Sequence, residues 1–172
     1  MSKFISEVYL KTFIGIDQSI DNNIIEPAIK RAQLFQIKDL LGTALYDELD
    51  GQVALGTASI SVDNKVLLNQ YVAPTLASYA YFEMLPALMY KVENNSIFKR
   101  KSESADPIDE KAYAGLRALY LDNAERFADR LKLFLEAHTS VYPLYLRPGN
   151  SIDTRYPETG SIYTTSIHFP KR

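Results

Sequence analysis

Residues 108–138 read IDEKAYAGLRALYLDNAERFADRLKLFLEAH, and their apolar spacing decides the fold class. Tyr113, Leu116, Tyr120, Ala124, Phe127, Leu131 and Phe134 recur at steps of three or four, the period of one helical face. At about 1.5 Å per residue such a rod spans roughly 46 Å. A compact bundle of this size needs less, so part of the rod projects or packs on a partner. Asp106-Pro107 signals its start, with the aspartate as cap and the proline at the first helical position. Asp109 and Glu110 then bring negative charge to the first turn, where the macrodipole favours it. Glu125/Asp129 and Arg126/Arg130 decorate the opposite faces as ordinary solvated surface.

Upstream, the same period recurs. Phe4, Ile5, Val8 and Tyr9 share a face of a short helix ending near Gly15, and residues 17–23 form a polar link rich in N-cap candidates. The next helix carries Ile24, Ala28, Leu34 or Phe35, Ile37 and Leu41. Pro27 must sit in or near its first turn, or else kink it. Gly42 reads as the stop, and Thr43 as the cap of a further helix over residues 44–53. Residues 55–65 read as a loop with weak strand character. A long pattern over residues 66–92 contains Pro74 and Pro86, predicting two segments or one bent rod. Its tyrosines read as packing residues. A short β-hairpin or exposed loop is expected at about residues 95–106.

After His138 the character changes. Pro143, Pro148, Pro157 and Pro170 punctuate a stretch with five aromatics: Tyr142, Tyr145, Tyr156, Tyr163 and Phe169. Disordered tails are usually poor in such residues, yet no period here would bury them internally. The expectation is a helical domain over residues 1–138 and an extended docking tail over residues 139–172 that orders on another polypeptide. The fold class is therefore mainly α: a helical bundle with a long C-terminal helix, a short hairpin or loop insertion, and an extended tail. Tyr142, Tyr145, Arg147, Arg155, Tyr156, Tyr163 and Phe169 are the expected interface anchors, since Tyr and Arg often dominate interface energetics. Removing residues 151–172 should then spare the fold and abolish assembly.

Composition narrows the function. With 172 residues, 47% hydrophobic and 23% charged, the chain fits one ordinary globular domain plus appendages. A net charge of −2 argues against a dedicated nucleic-acid binder, which is usually strongly basic. The absence of cysteine excludes structural disulfides and cysteine-ligated zinc. No stretch reaches the roughly 20 apolar residues of a membrane span, and residues 1–12 lack a signal-peptide core. An aqueous compartment is expected, with no membrane partner.

The catalytic inventory is short. His138 ends a helix, a place that favours a protonated imidazole, and His168 lies in the tail. No nucleophile elbow and no Gly-rich phosphate loop occurs. Glu136 and His138 have the wrong spacing for the carboxylate–histidine ligands of di-metal bundles. Asp47/Glu48 and Asp109/Glu110 are adjacent and diverge around a helix. No cofactor, no metal and no catalysis are expected. The basic run Lys99-Arg100-Lys101 could touch phosphate and Phe98 could stack on a base, but Glu103 and Asp106 dilute its field. A solvated loop tip is the favoured reading; a tip facing DNA or a neighbour is the other.

Several segments together resemble the head-to-tail connector, or adaptor, proteins of tailed bacteriophages, most closely those of podovirus-like phages of gut bacteria. They are Phe4-Ile5-Ser6, the link at residues 16–21, the helix Ile24-Ile25-Glu26-Pro27-Ala28-Ile29-Lys30-Arg31-Ala32-Gln33, and the junction Leu40-Leu41-Gly42-Thr43-Ala44-Leu45-Tyr46. Tyr71-Val72-Ala73-Pro74 and Tyr142-Pro143-Leu144-Tyr145 complete the likeness, which covers roughly residues 4–145. The resemblance implies a virion structural protein at the head–tail interface, assembled in the host cytoplasm. It implies a homo-oligomeric ring of about twelve copies bound to the portal and to tail or further ring proteins. The ring would extend the DNA channel, with non-specific DNA contact in it. A non-viral helical adaptor that binds one protein through its tail is the alternative, and a small Mg²⁺-dependent hydrolase or nuclease is the third reading.

Overall fold

The computed structural model describes residues 1–93, 96–99, 109–146 and 154–157, with residues 91–93 and 96–99 described by backbone alone. The chain is mainly helical. Its elements are α1 (Glu7–Ile14), α2 (Asn22–Ala32), α3 (Lys38–Leu41), α4 (Thr43–Ala54), α5 (Val62–Leu67), α6 (Ala73–Met89), β1 (Tyr90–Glu93), β2 (Ser96–Lys99) and α7 (Glu110–Ala137). Gln33–Ile37 is a π-helical segment joining α2 to α3, and Leu68–Val72 is another joining α5 to α6. Thr57–Ser59 and Pro143–Leu146 are 3₁₀ turns.

The bundle is organised around α6. Leu76, Ala77, Ala80 and Met84 are wholly inaccessible, and the helix packs chiefly against α2 and α7, with α1 also touching it. Its small residues permit this. Thr75 and Ser78 turn their hydroxyls onto the carbonyls of Tyr71 and Pro74, at 2.7 and 2.9 Å. Each buried polar side chain thus meets a backbone acceptor one turn back. Leu131, Leu135, Ala124 and Ala128 of α7 enter the same core, whereas Tyr113, Leu116 and Tyr120 nearer its start are only half-buried. At 28 residues, α7 is about 42 Å long, and its second half carries its fully buried residues.

Several expectations change in detail. α7 is capped by Asp109, whose carboxylate accepts from the Ala112 amide at 2.6 Å; Asp106 and Pro107 lie outside the described residues. Pro27 is the sixth residue of α2, beyond its first turn. The segment expected as a loop with strand character holds a 3₁₀ turn, and Ser61 caps α5 by accepting from the Asn64 amide at 3.1 Å. A hydroxyl cap on a following apolar helix outweighs the weak β propensity of Ser-Ile-Ser-Val. The long pattern over residues 66–92 divides at the π segment before Pro74. A proline ring clashes with the carbonyl four residues back, here that of Gln70, and the wider π turn is placed there. α6 stops at Met89 rather than Val92, because Tyr90–Glu93 pairs antiparallel with Ser96–Lys99, Tyr90 opposite Lys99. The insertion expected at about residues 95–106 lies mostly outside the described residues.

Candidate functional site

Gly42 breaks the rod between α3 and α4 with φ 73° and ψ 158°, a region essentially reserved for glycine. The break leaves the first amide of α4 without an intrahelical acceptor. Residues 154–157 supply one. The Thr43 amide donates to the Arg155 carbonyl at 3.0 Å, and the Arg155 amide donates to Thr43 Oγ1 at 2.7 Å. The Arg155 guanidinium also pairs with Asp39, and Pro157 is buried over the junction. A Cβ at position 42 would stand 2.9 Å from Pro157 Cδ and 3.2 Å from its nitrogen. Glycine is needed here both for backbone geometry and for room. Thr43 is thus the first residue of α4 rather than its cap, and its hydroxyl serves the incoming strap.

The residues that follow α7 close over α4 and α5. Tyr142 donates to the Asp63 carbonyl at 2.8 Å, and burial, with Asp63 nearby, raises its pKa above the phenol value. Tyr145 has no exposed surface, and its hydroxyl has no hydrogen-bond partner among the described residues. Burial, with the field of Glu136, pushes its pKa up to about 12. The 3₁₀ turn carrying Tyr145 packs on α4. The boundary expected at His138 therefore does not end the body, which runs at least to Leu146 and takes in the strap at 154–157.

This corrects the interface expectation. Tyr142 and Tyr145 are core residues of their own subunit, and Arg155 is engaged by Asp39 and Thr43, so none of the three is a free anchor. They lack helical periodicity because each is delivered from irregular backbone to a different partner: Tyr142 to Asp63 of α5, Tyr145 on the turn packed on α4, and Arg155 to Asp39 and Thr43. Tyr156 remains 67% exposed. Arg147, Tyr163 and Phe169 lie outside the described residues, as do Arg100 and Lys101. Phe98 and Lys99 are on β2, described by backbone alone.

A buried glutamine joins the other side of the junction. Gln33 is inaccessible, yet its amide is fully used. Nε2 donates to the Ser2 carbonyl at 2.7 Å and to the Tyr46 hydroxyl at 3.1 Å, while Oε1 accepts from the Phe4 amide at 3.2 Å. The Phe4 and Tyr46 rings stand 5.4 Å apart, and burial raises the Tyr46 pKa. Sequence reasoning missed both this hub and the strap. A polar residue at an apolar position of the α2 pattern was the available signal for the first. For the second it was an X-Pro dipeptide, Tyr156-Pro157, which favours extended backbone.

Elsewhere the chemistry is sparse. His138 caps α7, with Nδ1 2.8 Å from the Phe134 carbonyl; His168 lies outside the described residues. Among the described residues no group of three or more His, Cys, Asp or Glu could hold a metal ion. An open cleft of about 250 Å³ is lined by Leu40, Tyr79, Glu125, Ala128, Asp129 and Lys132. It sets one ammonium beside two carboxylates, a net negative arrangement with no nucleophile–base pair. No helix among the described residues is long and apolar enough to cross a membrane.

Compared with known proteins, residues 37–155 match the model of a family of unknown function, DUF6712. That span contains both sides of the closure, from the end of the first π segment to Arg155. No curated protein and no solved structure matches.

Proposed function

Because the chain belongs to DUF6712, a family whose function is unknown, we propose a role argued from its own residues: a head–tail connector subunit of a tailed bacteriophage. In this reading copies form a ring beneath the portal, extend the DNA channel and offer a platform to tail components, without catalysis. One observation carries it. Four of the segments that resemble connector proteins, drawn from both ends of the chain, meet around one shoulder of the fold. Phe4 lies against Tyr46, Gln33 at the end of the α2 helix joins both, Gly42 and Thr43 turn the chain into α4, and the turn holding Tyr145 packs on α4. A likeness produced by helical periodicity alone would scatter over unconnected surface.

The corrected interface leaves a narrower set of contacts. Tyr156, beside the closure, is the exposed aromatic of the strap, and Tyr163 and Phe169 follow it in sequence. Aromatic anchors of this kind supply much of an interface's affinity.

The test is assembly with a tailed-phage portal protein, taken from beside the gene where one is encoded there. Native mass spectrometry of the two proteins together should give a ring in which the subunit count follows portal symmetry. A subunit that stays monomeric both alone and with that portal would overturn the reading.

A further inference from the structure

The outward face of α7 has a self-complementary order. At about 100° per residue, Gly115, Leu119, Asp122, Arg126, Arg130 and Leu133 fall in one stripe. It lies opposite the buried Ala124, Ala128, Leu131 and Leu135. Leu119 and Leu133 are 54% and 63% exposed, large apolar side chains on a surface otherwise charged. Between them Arg126 pairs with Asp122 of its own helix at 3.0 Å, and the Arg130 guanidinium lies 5.1 Å from the centre of the Tyr71 ring. Both cations are thereby held in place.

We propose that this stripe is a docking surface for a second copy of the same chain, the two α7 helices packing antiparallel about a two-fold axis at Arg126. In that register position 119 meets 133, position 122 meets 130, and Gly115 meets Ala137. Each exposed leucine covers the other's counterpart, and each Asp122 faces an Arg130 from the partner. A parallel register would set Leu119 on Leu119 but Asp122 on Asp122 and Arg130 on Arg130, stacking like charges. The antiparallel register sets Arg126 beside its own copy at the axis, but each already pairs with Asp122 of its own helix; one like-charge contact there, against three in the parallel register, selects the orientation. The leucines stand about 21 Å apart along the helix, so the axes must run close to antiparallel, within the roughly 20° of left-handed helix pairs. The small residues at 115 and 137 allow close approach at both ends.

This inference does not rest on the connector reading. An isologous pair uses one face twice, whereas a head-to-tail ring uses two different faces. The pair is therefore a form of the free protein that must open if a ring forms. The two readings also fail separately, since one is tested without portal and the other with it.

Sedimentation of the full chain alone, from about 5 µM to about 500 µM, should show a weak monomer–dimer equilibrium. Asp122→Arg and Arg130→Glu, each alone, place like charges opposite one another and should weaken the dimer at least ~10-fold. The double variant restores opposite charges and should recover it. Far-UV circular dichroism checks that the exposed substitutions leave the helices intact. The native chain has no cysteine, so Arg126→Cys should oxidise to a linked dimer. Lys111→Cys should not, its two copies lying about 45 Å apart in this register. A monomer at every concentration, a dimer indifferent to the single charge swaps, no recovery in the double variant, or equal cross-linking at 111 and 126 would each overturn the proposal.

Discussion

Gly42→Ala tests the closure most directly, because the structure separates its cost into two parts. The first is backbone strain: φ 73° with ψ 158° costs a non-glycine residue about 1–3 kcal/mol. The second depends on the strap, since the new Cβ would stand 2.9 Å from Pro157 Cδ, inside any real contact distance. The cheapest relief is release of residues 154–157. Release gives up two hydrogen bonds to Thr43, worth about 0.5–1.5 kcal/mol each. It also gives up the half-exposed Arg155–Asp39 pair, worth about 0–1 kcal/mol after screening. The full-length variant should therefore lose about 2–7 kcal/mol, a large share of a typical stability of about 5–15 kcal/mol. Urea unfolding of four proteins measures both parts: the native chain, Gly42→Ala, a chain ending at residue 153, and that chain with Gly42→Ala. In the truncated background only strain should remain, so the two changes should be non-additive by about 1–4 kcal/mol. Equal costs of Gly42→Ala in both backgrounds would refute the closure, whatever the size of either cost.

Three other outcomes follow from the same contacts. A chain ending at residue 150 should lose about 1–4 kcal/mol relative to one ending at Pro157, through loss of the strap. Identical unfolding of the two in urea would show that the strap contributes nothing. Tyr142→Phe removes the bond to the Asp63 carbonyl and should cost about 1 kcal/mol, while Tyr145→Phe, deleting a hydroxyl with no partner among the described residues, should be neutral or stabilising; the reverse order in urea unfolding contradicts the geometry. Burial raises Tyr81 and Tyr145 to about 12, so above their unfolded value near 10 the unfolded chain releases protons first. Stability should then be full below about pH 10 and fall by up to about 1.4 kcal/mol per tyrosine per pH unit toward pH 12. Phenylalanine at both positions should flatten that decline, and an unchanged slope would show that other groups cause it.

How much was legible in the sequence depended on where a residue's partner lies along the chain. α7 was readable because Ala124, Leu131 and their neighbours repeat within one element, and Gly42 was readable as a stop because glycine signals its own backbone. Thr43 was misread as a cap because its partner, Arg155, lies 112 positions away, and no local period encodes such a pairing. Tyr142 and Tyr145 show the same limit more sharply. They were read as aromatics that no local element could bury, but the inference that a foreign surface must bury them ignored the other helices of the same subunit. Irregular backbone can deliver side chains to a distant helix of its own chain as readily as to another protein. Only the three-dimensional path distinguishes the two.

That distinction moves the burden of the assembly argument. When the whole segment after His138 was a candidate docking tail, its aromatics together argued for a partner. With Tyr142 and Tyr145 in the core and Arg155 held by Asp39, those residues argue instead for a stable shoulder around α4. What the shoulder contributes to assembly is direction. Residues 154–157 are fixed at Thr43 by two backbone-directed bonds and by Pro157 over Gly42, so the chain beyond Pro157 starts from a defined point beside the α3–α4 junction. A segment launched from a fixed point loses less entropy on docking than one tethered loosely. If a neighbour receives Tyr163 and Phe169, Gly42→Ala should weaken assembly through the strap even though position 42 touches no partner. That loss should vanish in a chain whose strap is restored to Thr43 by an engineered cross-link. Persistence of the assembly defect in the cross-linked chain would separate the shoulder from the interface altogether.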